Sequence, residues 1–72
     1  MWIKKDNVMF NIENFDAIMH DTLKPGLIVL VAGTKRLGIG KYDAEQASTI
    51  IDEIAKAMIN GDSLYVMPCE KK

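Results

Sequence analysis

Six consecutive residues, Leu27-Ile28-Val29-Leu30-Val31-Ala32, constrain this chain more than any other feature. Successive side chains of a strand point to opposite faces, so this run is apolar on both sides and must be covered on both. It follows directly on Lys24-Pro25-Gly26, where Pro fixes one φ angle and Gly supplies a positive one, the chemistry of a tight turn. A β-branched run placed immediately after such a turn reads as a central strand.

The rest of the chain supplies the cover. Trp2 and Ile3, then Val8, Phe10 and Ile12, flank the polar pair Asp6-Asn7, the pattern of a short hairpin. In its second arm Val8, Phe10 and Ile12 share one face and Asn11 and Glu13 the other, with Met9 a mild departure. Asn14 turns the chain into a third extended segment over residues 15–22, for which a short helix is the alternative. Gly33-Thr34 reverses the chain again, and residues 36–42 then place Leu37 and Ile39 on one face, with Gly38, Gly40 and Tyr42 on the other.

Asp43, with Gln46 three residues later, forms a capping box that opens a helix. Ala47, Ile50, Ile51, Ile54, Ala55 and Met58 recur at helical spacing, opposite a polar arc of Glu45, Thr49, Asp52, Glu53 and Lys56. Gly61 ends this helix. Residues 64–67 form a last strand, stopped by Pro68 and followed by a frayed tail, Cys69 to Lys72. At 72 residues the chain makes one domain, 1–72. The expected fold is α+β: a mostly antiparallel sheet or small curled barrel of about five to six short strands, with one amphipathic helix near the C-terminus.

Composition excludes several functions. A net charge of −1, with both signs interspersed, gives no field that would collect nucleic acid or an anionic membrane. The longest apolar run is too short to span a bilayer, and the N-terminal residues have no signal-peptide pattern. One unpaired Cys69 and no export signal point to the reducing cytoplasm.

Catalytic patterns fail in detail. In the segment Gly33 to Lys41, the Gly40-Lys41 pair has Lys35 where a phosphate-binding loop needs its first Gly, and Tyr42 where it needs a hydroxyl ligand for Mg²⁺. His20 and Asp21 are adjacent, but neighbouring strand residues point to opposite faces, and no second His or nearby Cys completes a metal or nucleophile site. No catalytic residue, metal, cofactor or small-molecule substrate is expected. Gly38 and Gly40 leave a bare strip beside Tyr42, which either forms a groove or lets the strand bend; bending is the simpler reading.

Ile39-Gly40-Lys41-Tyr42-Asp43-Ala44-Glu45-Gln46-Ala47, the later Ile54-Ala55-Lys56-Ala57 and Gly61, and the closing Tyr65-Val66-Met67-Pro68 resemble a group of short bacterial and prophage-encoded proteins. Asn11-Ile12-Glu13-Asn14-Phe15 is similar to their second-strand exit. The resemblance implies an opening strand hairpin, a sheet, a single helix and a Tyr-x-Met-Pro segment at the end. The longer hairpin at residues 33–38 and the Lys24-Pro25-Gly26 turn differ from that group. It brings no catalytic residues, so none is carried over.

The expected function is therefore a non-enzymatic protein-interaction module that self-associates. A lone helix covers one face of the sheet, whereas the run from Leu27 to Ala32 presents two; either the sheet closes on itself or a second copy covers the rest. Trp2, Phe10, Phe15, Tyr42 and Tyr65 are the candidate anchors, because aromatic side chains supply the most contact energy per residue. The alternative is a phage- or host-encoded accessory protein that contacts nucleic acid through Lys35, Arg36, Lys41 and Tyr42, the sole local concentration of basic and aromatic residues.

Overall fold

A computed structural model of the chain describes residues 1–21 and 23–70. Thr22, Lys71 and Lys72, which the sequence places at the end of the third extended segment and in the tail, lie outside the described residues. Strands β1 (Trp2–Lys5) and β2 (Val8–Asn11) form the opening hairpin in antiparallel register, with Asp6 at φ +54° in the turn. β2 stops two residues earlier than the alternation through Glu13 suggests. The Asn11 side chain accepts from the Glu13 N–H and starts a single 3₁₀ turn, Ile12–Asn14, so that Ile12 leaves the strand. β3 (Ala17–His20) follows as a strand rather than a helix, antiparallel to β4 (Leu27–Ala32).

Pro25-Gly26 makes the expected turn, with Gly26 at φ +94° and the Leu27 N–H donating to Lys24 O. The Gly26 carbonyl accepts from Tyr42 N at 2.8 Å, which ties this turn to the far end of the second hairpin. β5 (Lys35–Lys41) pairs with β4 through an irregularity: Ile28 faces Gly40 while Val29 faces Gly38. Ile39 is the extra residue of a β-bulge, which breaks the alternation expected to put Leu37 and Ile39 on one face. Ile39 is buried in the core; Leu37 is exposed. A Cβ on Gly40 would meet the Tyr42 ring, and one on Gly38 would meet the Leu27 side chain. The Tyr42 ring therefore fills the space beside Gly40, whereas Gly38 stays exposed and lines a shallow pocket with Leu27, Val29 and Arg36.

The helix α1 (Ala44–Ile59) is capped by Asp43, whose side chain accepts from the Gln46 N–H at 2.7 Å. The reciprocal arm of the capping box is not made, since Gln46 Oε1 is buried without a partner. Its buried arc is Ala47, Ile50, Ile54 and Ala57, with Ile51 at the margin; Ala55 and Met58, expected inside, face outward. Asn60 and Gly61 close the helix: Gly61 N–H donates to Met58 O and Asp62 N–H to Ala57 O, with Gly61 at φ +76°.

β6 (Leu64–Val66) then runs parallel to β1, made possible by the helical crossover. The architecture is α+β, as expected, but the strands divide into two three-stranded sheets, β2-β1-β6 and β3-β4-β5, and neither closes into a barrel. Three of the four pairings are antiparallel. Ile3, Ile28, Leu30, Ile39, Tyr42, Ala47, Ile50, Ile54 and Met67 form one core that draws on both sheets and the helix. Within a single chain Ile28 and Leu30 are fully buried and Val29 is 2% exposed, so the two-sided run of β4 is already sheltered and does not itself call for a partner.

The tail is tied down rather than frayed as far as Glu70. Tyr42 Oη donates to Pro68 O at 2.8 Å, and Glu70 Oε1 accepts from Lys41 N at 2.7 Å and pairs with Lys5 Nζ at 3.5 Å. Tyr65 Oη donates to Glu53 Oε1 at 2.7 Å. Burial pushes the Tyr42 phenol above its ordinary value; burial and the Glu53 hydrogen bond push Tyr65 further in the same direction. Lys5 is raised chiefly by its hydrogen bond to Asp6.

A raised folded value in a phenol means that the native state holds its proton longer than the unfolded chain does. Stability from this source is complete below about pH 10, the unfolded tyrosine value, and is lost as pH rises through the folded values. The chain has two tyrosines, so absorbance at 295 nm reports both. Their ionisation is expected to coincide with the loss of far-UV circular dichroism. Two phenols ionising near pH 10 in a chain that stays folded would contradict this placement.

Candidate functional site

The alternation of β1 decides what the first sheet shows to solvent. Ile3 points into the core with nothing exposed, so Trp2 and Lys4 point outward. Register places their neighbours: Trp2 lies beside Asn11 on β2 and Leu64 on β6, and Lys4 beside Met9 and Val66. Two rows of three residues result, Asn11-Trp2-Leu64 and Met9-Lys4-Val66. Spacing of ~4.8 Å between strands and ~6.7 Å between rows puts all six within one patch roughly 10 Å across. Trp2 is 45% exposed, Leu64 43%, Met9 50% and Val66 59%. Lys4 supplies the charge on this face. The opposite side of the same strands carries Ile3, Phe10 and Tyr65, packed on or in the core.

The aromatic candidates are thereby separated. Trp2 alone stands open on the outer sheet face. Phe10 and Tyr65 are half-buried against the core, and Phe15 is half-buried beside the 3₁₀ turn, where it lines a cavity. Tyr42, 5% exposed and bonded to Pro68, is a core residue and is not available as an anchor. Leu64, Val66 and Met9 were not among the candidates.

The basic stretch does not form one surface either. Lys35 and Lys41 sit at opposite ends of β5, about 20 Å apart along a strand of that length. The Arg36 guanidinium pairs with Asp21 at 3.1 Å, and Tyr42 is buried and cannot stack on a base. Asp21 is the buried charged residue among those described; it also accepts from the Leu23 N–H at 2.9 Å. His20 Nε2 accepts from the Gly26 N–H at 2.8 Å. His20 and Asp21 thus hold the loop between β3 and β4 from its two sides, a role that neither local pattern revealed.

Among the described residues no group of three or more His, Cys, Asp or Glu side chains is placed to hold a metal ion, and Cys69 is a free, exposed thiol. Among the described residues no helix is long and apolar enough to cross a membrane. Comparison of the chain with protein-family models, with curated proteins and with solved structures gives no match, so the reading of this face rests on its own geometry and chemistry.

Proposed function

We propose that this protein is a non-enzymatic interaction module that associates with a second copy of itself through the outer face of the β2-β1-β6 sheet. The observation that carries this reading is the clustering of Trp2, Met9, Leu64 and Val66, each more than two-fifths exposed, on one side of three hydrogen-bonded strands. Scattered exposed apolar residues are ordinary; four clustered around Lys4 on one sheet face mark a surface that gains from being covered. Two such faces packed together resemble a sheet sandwich, in which side chains interdigitate across ~10 Å. The patch is smaller than the ~800 Å² per partner of a standard interface, so the association is expected to be of the weak, concentration-dependent kind. A reducing cytoplasm suits the free thiol of Cys69.

Trp2 is the chain's sole tryptophan and sits in the face, so its emission reports directly on burial there. Sedimentation velocity over a concentration series is expected to show monomer giving way to dimer, with Trp2 emission shifting to the blue in parallel. Met9→Glu with Val66→Glu places carboxylates across from Lys4 on both neighbouring strands, which favours the sheet while charging its face. That variant is expected to stay monomeric with unchanged circular dichroism. A parent chain that remains monomeric into the high micromolar range, with fixed Trp2 emission, overturns the proposal.

A further inference from the structure

A cavity of about 490 Å³ opens where the 3₁₀ turn, the start of β3 and the C-terminal end of α1 meet. Its apolar lining includes Ile12, Phe15 and Met58. The charged side chains that line it are those of Glu13, Asp16 and Asp62, all acidic, against one cationic group, the amine of Met1, in a chain that carries 9 Lys and Arg against 10 Asp and Glu. They come from three separate places: Glu13 from the 3₁₀ turn, Asp16 from the residue before β3, and Asp62 from the loop after Gly61. One carboxylate, that of Asp16, is already engaged by the Gly33 N–H at 2.8 Å. The acids therefore flank an apolar depression instead of converging on a point, which suits positive charges spaced along a chain better than a single small cation. Ala17 and Ile18 of β3, an edge strand of its sheet, form one wall. Met58, exposed at the rim, is the unbranched, polarisable kind of side chain that accommodates varied apolar partners.

We propose that this groove binds a short peptide segment in which one large apolar side chain is flanked by Lys or Arg. The apolar residue enters the space over Ile12, Phe15 and Met58, and the flanking cations lie against Glu13 and Asp62. This site is distinct from the outer face of the β2-β1-β6 sheet and takes a different partner.

The test compares two fluorescent peptides that share a central Phe, one flanked by lysines and one by glutamates. In fluorescence anisotropy at low salt the lysine peptide is expected to bind saturably and at least about tenfold more tightly than the glutamate peptide. Glu13→Lys with Asp62→Lys is expected to abolish or reverse that preference. Glu45→Lys with Asp52→Lys makes the same change in net charge on exposed helix positions outside the groove, and is expected to keep it. The Met9→Glu, Val66→Glu variant is also expected to bind as the parent does, which separates this site from the self-association face. Failure of the lysine peptide to saturate, equal binding of both peptides, or equal loss of preference in both lysine variants overturns the proposal.

Discussion

Gly26→Ala is expected to give no folded protein. The residue sits at φ +94°, a backbone conformation that costs a residue with a Cβ on the order of 1–2 kcal/mol. The larger obstacle is non-local. A Cβ built on Gly26 would coincide with the carbonyl oxygen of Tyr42, and backbone atoms cannot step aside as the tip of a side chain can. Tyr42 is fixed from several directions at once. Its N–H donates to Gly26 O, its ring covers Gly40, its hydroxyl bonds Pro68, and the next residue caps α1. Relieving the clash means displacing the junction of β5 and α1 from the core. A chain of this length has a total stability of roughly 4–11 kcal/mol, so a displacement of that kind removes most or all of it. Gly33→Ala is the control. Gly33 has a similar φ of +61° but nothing within 4 Å of an added Cβ, so only the conformational cost applies, about 1 kcal/mol. Far-UV circular dichroism and amide-proton dispersion should show Gly33→Ala folded and Gly26→Ala unfolded. Cooperative melting of Gly26→Ala near the parent temperature would mean that the turn and Tyr42 are not in contact.

The two halves of that argument differ in how far the sequence discloses them. Pro25-Gly26 announces a turn because φ preferences act within one residue, and the Asp43 cap and Gly61 stop are legible for the same reason. That Gly26 lies against the backbone of Tyr42, sixteen positions on, depends on where β5 ends, which no local pattern records. The bulge at Ile39 has the same character. One extra residue between two glycines changes the parity of β5, and glycines carry no side chain to show which face they are on. On the helix, Ala55 and Ala57 are alike in hydrophobicity and differ by two positions, so the spacing left the edges of the buried arc open while its centre at Ala47, Ile50 and Ile54 was readable. Met9 looked like a defect in the alternation of Val8 and Phe10. It is instead part of the outer face, and Leu64 and Val66 join it only because β6 pairs with β1 in parallel across the whole chain. The division into two sheets was hidden likewise, since it depends on this one long-range pairing.

Those two sheets exchange no ladder with each other, so what makes them fold together is the shared core, and Ile54→Ala tests that coupling most directly. Ile54 is 1% exposed on the inner arc of α1, which packs over β3 and β4. The same buried cluster includes Ile3 of the first sheet and Met67 just beyond it. Alanine is the best helix former, so the substitution leaves α1 intact and removes packing alone. Lost transfer energy and the cavity left behind together cost about 2–5 kcal/mol, a large share of what a domain of this size possesses. Ile51→Ala, at the half-buried margin of the same helix, is expected to cost about 1 kcal/mol. In urea titrations of the monomeric Met9→Glu, Val66→Glu background, followed by both Trp2 fluorescence and far-UV circular dichroism, Ile54→Ala should lower the midpoint with one coincident transition and an unchanged slope. Trp2 reports the first sheet, whereas Ile54 lies on a helix packed over the second. Two separated transitions would therefore show that the sheets are stabilised independently, and that the cluster around Ile54 does not bind them into one cooperative unit.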